Sequence, residues 1–394
     1  MRNKKYIILN FTHGNAPYLR TTELALAVND LLEEAGFNRL GIIVPWVYKT
    51  RQISIMKDNF GKVIKKKRGE ILLDKNIGEY FNSVFYGEET FEKSLENLIE
   101  KHKDVNKKIE DYFSEGLKTE DFFGNEVVVN REDIIMEINR CPVVSFGIKP
   151  SYYTSFAYMS EILENSLGKT DIINIQENLL RKSADYYFEL EKKQDLRFIA
   201  EPGTFYYLNK KEKHKSQFYT PPNTRQIPRT PFFSFFRKGI YVNVTGIVGF
   251  NKHLFEETNS FGLKIYTNKP GLIFSGKKAK PDVISSKNIV FHYARAGWGS
   301  IWLSYFTKTP FIAMPYNPDD DPEIYFNNIC IEKIGLGKIY TGQPIGELLK
   351  FAEEYKNNVE LINNQLLNKY GTLDGVGYTA RHIVEHFLSS NKLS

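Results

Sequence analysis

Within its first forty-five residues the chain sets out an apolar run, a polar turn, a helical stripe and a second apolar run. Residues 5–11 (KYIILNF) read as a buried parallel strand, because an unbroken apolar stretch suits a sheet covered on both faces. Thr12-His13-Gly14-Asn15-Ala16-Pro17 interrupts the run with turn chemistry. Over residues 22–35, Leu24, Ala25, Ala27, Val28, Leu31 and Leu32 recur at helical spacing, with Glu33 and Glu34 outward and Gly36 as a stop. Residues 40–45 supply the second strand. Strand, loop, helix, strand is the unit that opens a doubly wound sheet. The same opening recurs at residues 239–246 (GIYVNVTG), so the pattern predicts an α/β protein with two Rossmann-like doubly wound halves.

Between the halves, Pro221, Pro222, Pro228 and Pro231 follow the basic stretch Lys210, Lys211, Lys213, His214 and Lys215. That density of proline reads as a connector without regular structure. The expected division is therefore an N-terminal domain at 1–208, a linker at 209–238 and a C-terminal domain at 239–394, with the last helix free to pack back on the first domain. Residues 48–124 read mainly as helices with solvated faces, the clearest stripe being Leu95, Leu98, Ile99, Val105 and Ile109. Strands are expected at 127–129 and 142–147 with a helix at 131–139 between them, and helices at 151–167 and 176–191. In the second half, helices are expected at 251–259, 300–306, 345–369 and 378–388, and strands at 262–267, 288–292 and 310–315.

Composition narrows the classes. Against 47 acidic side chains stand 53 basic ones, a net charge of +6 that is mild for 394 residues. The basic residues are scattered and form no recognised nucleic-acid module, so no nucleic-acid partner is expected. Apolar stretches such as 240–250 fall far short of the ~20 residues of a membrane helix. The basic start Arg2-Asn3-Lys4-Lys5 leads into too few apolar residues for a secretion signal. Two cysteines, Cys141 and Cys330, cannot build a disulfide framework, and the expected compartment is the cytoplasm. A cluster at Lys62, Lys65, Lys66, Lys67 and Arg68 leaves peripheral contact with a membrane surface open.

In open parallel sheets, ligands bind outside the carboxyl ends of the strands. Four loops fall there: His13-Gly14-Asn15, Thr245-Gly246 with Gly249, the stretch His292 to Ser300, and residues 315–323 leading to Asn327. Gly297 and Gly299 allow close backbone approach, Ser300 is placed to cap the following helix, and Arg295 adds a fork for phosphate oxygens. A helix N-terminus supplies free amides and a positive dipole end. Trp298 offers a ring for stacking or packing. The Asp319-Asp320-Asp321 triplet lacks the alternation of a calcium loop, so no metal site is expected.

The order of these elements resembles the GT-B glycosyltransferases, in particular the MurG-type and UDP-glycosyltransferase group. The second half has the counterparts of its donor-domain motifs. Thr245-Gly246 stands for the first glycine loop, and Arg295-Ala296-Gly297-Trp298-Gly299-Ser300 for the Arg/His-x-Gly-x-x-Thr/Ser motif. Thr309 to Pro315 stands for the strand that ends in proline, and Glu323 to Asn327 for Asp-Gln-x-x-Asn. Leu24-Ala25-Leu26-Ala27 is similar to the family's opening helix. Leu303 replaces an acidic residue of the pattern, Ile324 replaces its glutamine, and His13 precedes its glycine instead of following one.

The resemblance implies transfer of a sugar from a nucleotide-diphosphate donor, UDP-linked, to an acceptor hydroxyl, with neither metal nor cofactor. By that resemblance His13 is the catalytic base. Gly14, Asn15, Thr245, Gly246, Gly249, His292, Arg295, Gly297, Trp298, Gly299, Ser300, Glu323 and Asn327 line the nucleotide-sugar site. The implied acceptor is a glycan, a lipid-linked molecule or a small molecule. The alternatives on the same fold are a nucleotide-sugar 2-epimerase or hydrolase, and a non-catalytic subunit that binds sugar nucleotides.

Overall fold

Strand β1 (Tyr6–Phe11), buried along its whole length, lies in the middle of a nine-stranded sheet. The computed structural model describes residues 4–12, 15–85, 90–208, 212–224, 236–245, 252–273 and 275–390. Parallel neighbours of β1 are β2 (Gly41–Pro45) and β6 (Ile134–Arg140). Beyond β2 come β3 (Ile71–Asp74), β4 (Leu117–Asp121) and β5 (Glu126–Val129), the last two pairing antiparallel. Beyond β6 come β7 (Ser151–Ser155), β8 (Leu196–Ala200) and β9 (Gln217–Thr220), all parallel. Helices α1 (Asn15–Glu34), α2 (Lys49–Lys66), α3 (Lys75–Phe85), α4 (Phe91–Glu115), α5 (Met159–Ser166) and α6 (Glu177–Lys192) connect these strands.

Five sequence expectations are corrected here. Residues 131–139 do not form a helix; β6 occupies most of them. Ile134, Met136 and Ile138 recur at period two, while Glu137 and Asn139, which look like a solvated face, are buried. Their partners lie on other elements: Asn10 Nδ2 donates to Glu137 Oε1 at 3.0 Å, and Asn139 Nδ2 donates to Gln194 Oε1 at 2.7 Å. Residues 142–147 form a loop, in which Val143 N donates to Asn10 Oδ1 and the Val144 carbonyl accepts from Asn10 Nδ2. Residues 151–167 begin as β7 before α5, and the helical reading of 48–124 hides β3 and β4. The proline-rich connector also holds β9, which ends one residue before Pro221 and so keeps all its donors.

The second sheet has six parallel strands in the order β12 (Lys277–Lys278), β11 (Lys264–Thr267), β10 (Gly239–Asn243), β13 (Ile289–Ala294), β14 (Phe311–Ala313) and β15 (Lys338–Ile339). Around it lie α7 (Lys252–Ser260), α8 (Trp298–Thr307), α9 (Pro322–Lys333) and α10 (Ile345–Tyr370). The last helix, α11 (Gly375–Ser389), packs on α1 of the first domain. The return to the first domain is fixed at two places, on α11 and at the end of α10. Tyr152 OH hydrogen-bonds His386 Nδ1 at 3.0 Å, and Glu201 accepts from Tyr370 OH and Lys369 Nζ. Both sheets reverse strand order beside their first strand, between β1 and β6 and between β10 and β13. Those reversals are where doubly wound sheets open a crevice.

Candidate functional site

Each reversal carries an arginine at the carboxyl end of the strand across from the opening strand. Arg140 ends β6, and Arg295 follows β13 directly. Between them two helix N-termini meet. A methyl group built on Gly299, in the first turn of α8, would lie 3.5 Å from Cβ of Ala16, in the first turn of α1. The first amides of a helix have no intrahelical acceptor and carry the positive end of its dipole, so this junction suits an anion. Gly297 is the N-cap of α8 with φ −79°, and a methyl group there meets nothing within 4 Å among the described residues. Neither its backbone nor its described neighbours require glycine, so among the described residues the space beside it is open.

The loops around this junction are pinned by a small set of polar side chains. Asn327, on α9 and fully buried, donates to the Ala296 carbonyl at 2.7 Å and to Glu323 Oε1 at 2.8 Å. Its Oδ1 accepts from Trp298 Nε1 at 2.8 Å. The Trp298 indole also reaches Thr204 Oγ1 of the first domain at 3.1 Å, and its ring packs against Phe156 and Trp302. Trp302 Nε1 in turn donates to the Pro202 carbonyl at 3.2 Å. Gly203, beside it, has no room for a side chain: a Cβ would lie 2.3 Å from the Phe156 carbonyl oxygen. The segment after β8 thus clamps α8 and α9 to the first domain.

The acidic triplet is structural throughout. Asp320 engages Arg295 through two hydrogen bonds, the Nη2 one at 2.6 Å. Asp321 caps α9 by accepting from Glu323 N at 2.9 Å. Asp319 accepts from Asn174 Nδ2 at 2.6 Å, and its carbonyl accepts from Phe91 N at 2.9 Å. Among the described residues no group of three or more His, Cys, Asp or Glu side chains is disposed to hold a metal.

Several expected ligand contacts prove to be packing. His292 is fully buried; its Nδ1 hydrogen-bonds Ser304 Oγ at 2.8 Å, its ring lies between Tyr241 and Phe311, and burial holds its pKa down to about 3. It is a neutral core residue. Trp298, 1% exposed, bridges domains and presents no face to a base. Ser300 does not cap α8, which starts earlier, at Trp298; its hydroxyl accepts from Asn243 Nδ2 at 3.3 Å and ties β10 to α8. The Arg295 guanidinium is largely committed to Asp320, whose charge holds its pKa up despite burial. Leu303 packs beside Tyr241, Val283 and Ile284, leaving no acid there for a ribose. Thr245 is half-buried at the end of the strand leading into the glycine loop, and Asn15 opens α1. His13, Gly14, Gly246 and Gly249 lie outside the described residues, as does the side chain of Asn15.

Glu323 sits at the start of α9, half-buried beside Asp321, and burial raises its carboxyl to about 8. Two residues of the junction went unread in the sequence. Thr204 has no motif around it. Arg140 had one signal, a basic residue closing a strand whose alternate positions are apolar, and the helical reading of that segment concealed it.

No family model matches the chain, and no curated protein does. Solved structures do match over nearly the whole chain. A UDP-glucosyltransferase from Polygonum tinctorium capable of glucosylating indoxyl is 12% identical with a TM-score of 0.60, covering 98% of this chain and 99% of that one. The Medicago truncatula protein UGT71G1, complexed with UDP-glucose, is 12% identical with a TM-score of 0.55, covering 97% and 99%. The glycosyltransferase SnogD from Streptomyces nogalater is 10% identical with a TM-score of 0.55, covering 98% and 100%. At these identities the likeness is one of fold. The chain has the two-domain GT-B architecture, with the cleft between two doubly wound sheets.

Proposed function

We propose that this protein transfers a sugar from a nucleotide-diphosphate donor, UDP-linked, to the hydroxyl of an acceptor molecule, without a metal ion. The observation that carries the reading is the meeting of the α1 and α8 N-termini over the open flank of Gly297, at the reversal point of both sheets. There the leaving diphosphate would find backbone amides and two dipole ends, which stabilise developing negative charge. The fold shared with UDP-glycosyltransferases supports the same assignment.

In this reading the pinned loop from Arg295 to Ser300 is a preorganised cradle. Asn327 and Asp320 hold its backbone in place so that no reorganisation is needed as charge develops. Glu323, whose carboxyl burial pushes up to about 8, offers a hydroxyl donor to a sugar oxygen when protonated, while its Oε1 accepts from Asn327. His13, two residues before α1, is our candidate for the base that takes the acceptor proton, a task suited to an imidazole near its ordinary pKa.

The test is a panel of nucleoside diphosphates in a thermal-shift assay. A ligand present at a hundred times its Kd stabilises by about 2.7 kcal/mol. A shift with at least one nucleotide, followed by transfer from the matching sugar nucleotide, supports the reading; no shift across the panel sinks it. Binding with sugar rearrangement or release, and no acceptor consumed, would favour the epimerase or hydrolase alternative.

A further inference from the structure

We propose that Arg140, with Arg20 beside it, forms an anion subsite on the N-terminal side of the cleft that takes a phosphate carried by the acceptor. The proposal rests on the transferase reading above for the word acceptor, but not for the subsite itself. Arg140 pairs in register with Phe11 at the carboxyl ends of β6 and β1, where the first sheet reverses. It is 3% exposed, and its guanidinium lies over the Phe156 ring at 4.9 Å. Among the described residues it makes no ion pair, whereas Arg295, its counterpart in the second sheet, is paired with Asp320.

Burying a guanidinium without an ionised partner is destabilising, and a well-packed apolar side chain of similar volume would avoid that cost. The carboxyl that acts on Arg140 across the cleft is Glu323, and burial makes it a poor counterion at neutral pH. Burial lowers the pKa of Arg140 itself to about 10, which leaves it charged. Arg20, on α1, lies close enough to oppose that charge. Its Nη1 binds Glu23 Oε2 at 2.7 Å, yet its Nε is buried with no partner among the described residues. Two guanidiniums whose charges act on one another, with donors to spare among the described residues, fit a dianionic phosphate better than a single carboxylate. The donor diphosphate has its own place at the α8 N-terminus, in the other half of the molecule.

Inorganic phosphate is the probe. Its effect on melting temperature is measured on the full-length protein in the presence of saturating UDP, with acetate as a monoanionic control. For wild type, we expect stabilisation by phosphate and little by acetate. For Arg140→Met the apparent phosphate affinity should fall at least tenfold, while the ligand-free protein melts higher than wild type. A purely structural arginine would instead leave the variant less stable. Arg20→Met, on a partly exposed helix face, should weaken phosphate severalfold without harming the fold. Phosphate binding unchanged in Arg140→Met, or absent in wild type, would overturn the subsite. Phosphate stabilisation abolished by UDP would reassign Arg140 to the donor and overturn the acceptor role. An Arg140-dependent phosphate shift with no response to any nucleotide would uphold the subsite while removing the donor reading.

Discussion

Gly299 faces Ala16 across the cleft, so close that a Cβ on Gly299 would lie 3.5 Å from that of Ala16, and the first turns of α8 and α1, from different sheets, face one another. Helix dipoles that meet positive end to positive end repel. The arrangement is sustained by neighbouring packing, above all the Trp298 and Trp302 links to the segment after β8. An anion bound between the two ends would relieve the repulsion.

The first prediction concerns Gly297. Since its φ is ordinary and its flank is open, Gly297→Ala should fold normally, losing at most about 1 kcal/mol as an N-cap change. The added methyl group would occupy the space assigned to the diphosphate. Nucleotide-dependent thermal stabilisation should therefore shrink at least tenfold in apparent affinity. Full nucleotide affinity in the variant would move the phosphate site elsewhere.

A second prediction separates binding from chemistry. His13→Ala should retain nucleotide protection while turnover falls by a factor of about 100 or more, the usual span of general-base catalysis. Titration calorimetry with the nucleotide and a transfer assay read the two effects independently. Unchanged turnover rejects the histidine as base.

Asn327 should behave as a bracket and not as a sugar ligand. Asn327→Ala strands the Ala296 carbonyl and removes an acceptor from Trp298, in a fully buried setting. Losses of this kind run to about 2–4 kcal/mol, measurable by urea denaturation. A variant as stable as wild type, impaired only in its KM for the donor, would restore the ligand role.

The buried carboxyls set a pH trend. Burial raises Glu137 from its ordinary 4.5 to about 7, mainly by desolvation on β6. Below 4.5 both native and unfolded chains hold the proton. Between there and 7 only the native state holds it, so stability falls as pH rises, by up to about 3 kcal/mol for this group. Asp74 and Glu323 act in the same direction. Glu137→Gln should flatten the decline of unfolding free energy between pH 5 and 8 without abolishing it. An identical slope in variant and wild type would show that Glu137 is ionised in the native state.

Local pattern was enough to reveal the two α/β halves, since β1, α1, β2 and the strands β10, β11 and β13 each follow an apolar period or run that a single element can express. The glycines and arginine of the loop after β13 were legible for the same reason: their spacing reports what the backbone there can do. What local pattern could not determine is which polar side chains find partners inside. Glu137 and Asn139 mimic a solvated helix face because their partners, Asn10 and Gln194, lie 127 and 55 residues away in sequence. By the same logic Asp320 neutralises Arg295, and Asn327 and Thr204 claim the Trp298 indole, while Arg140 is left buried over the Phe156 ring with no ion pair among the described residues. Desolvation and pairing depend on distances between remote segments, which exist only once the sheets have closed on each other.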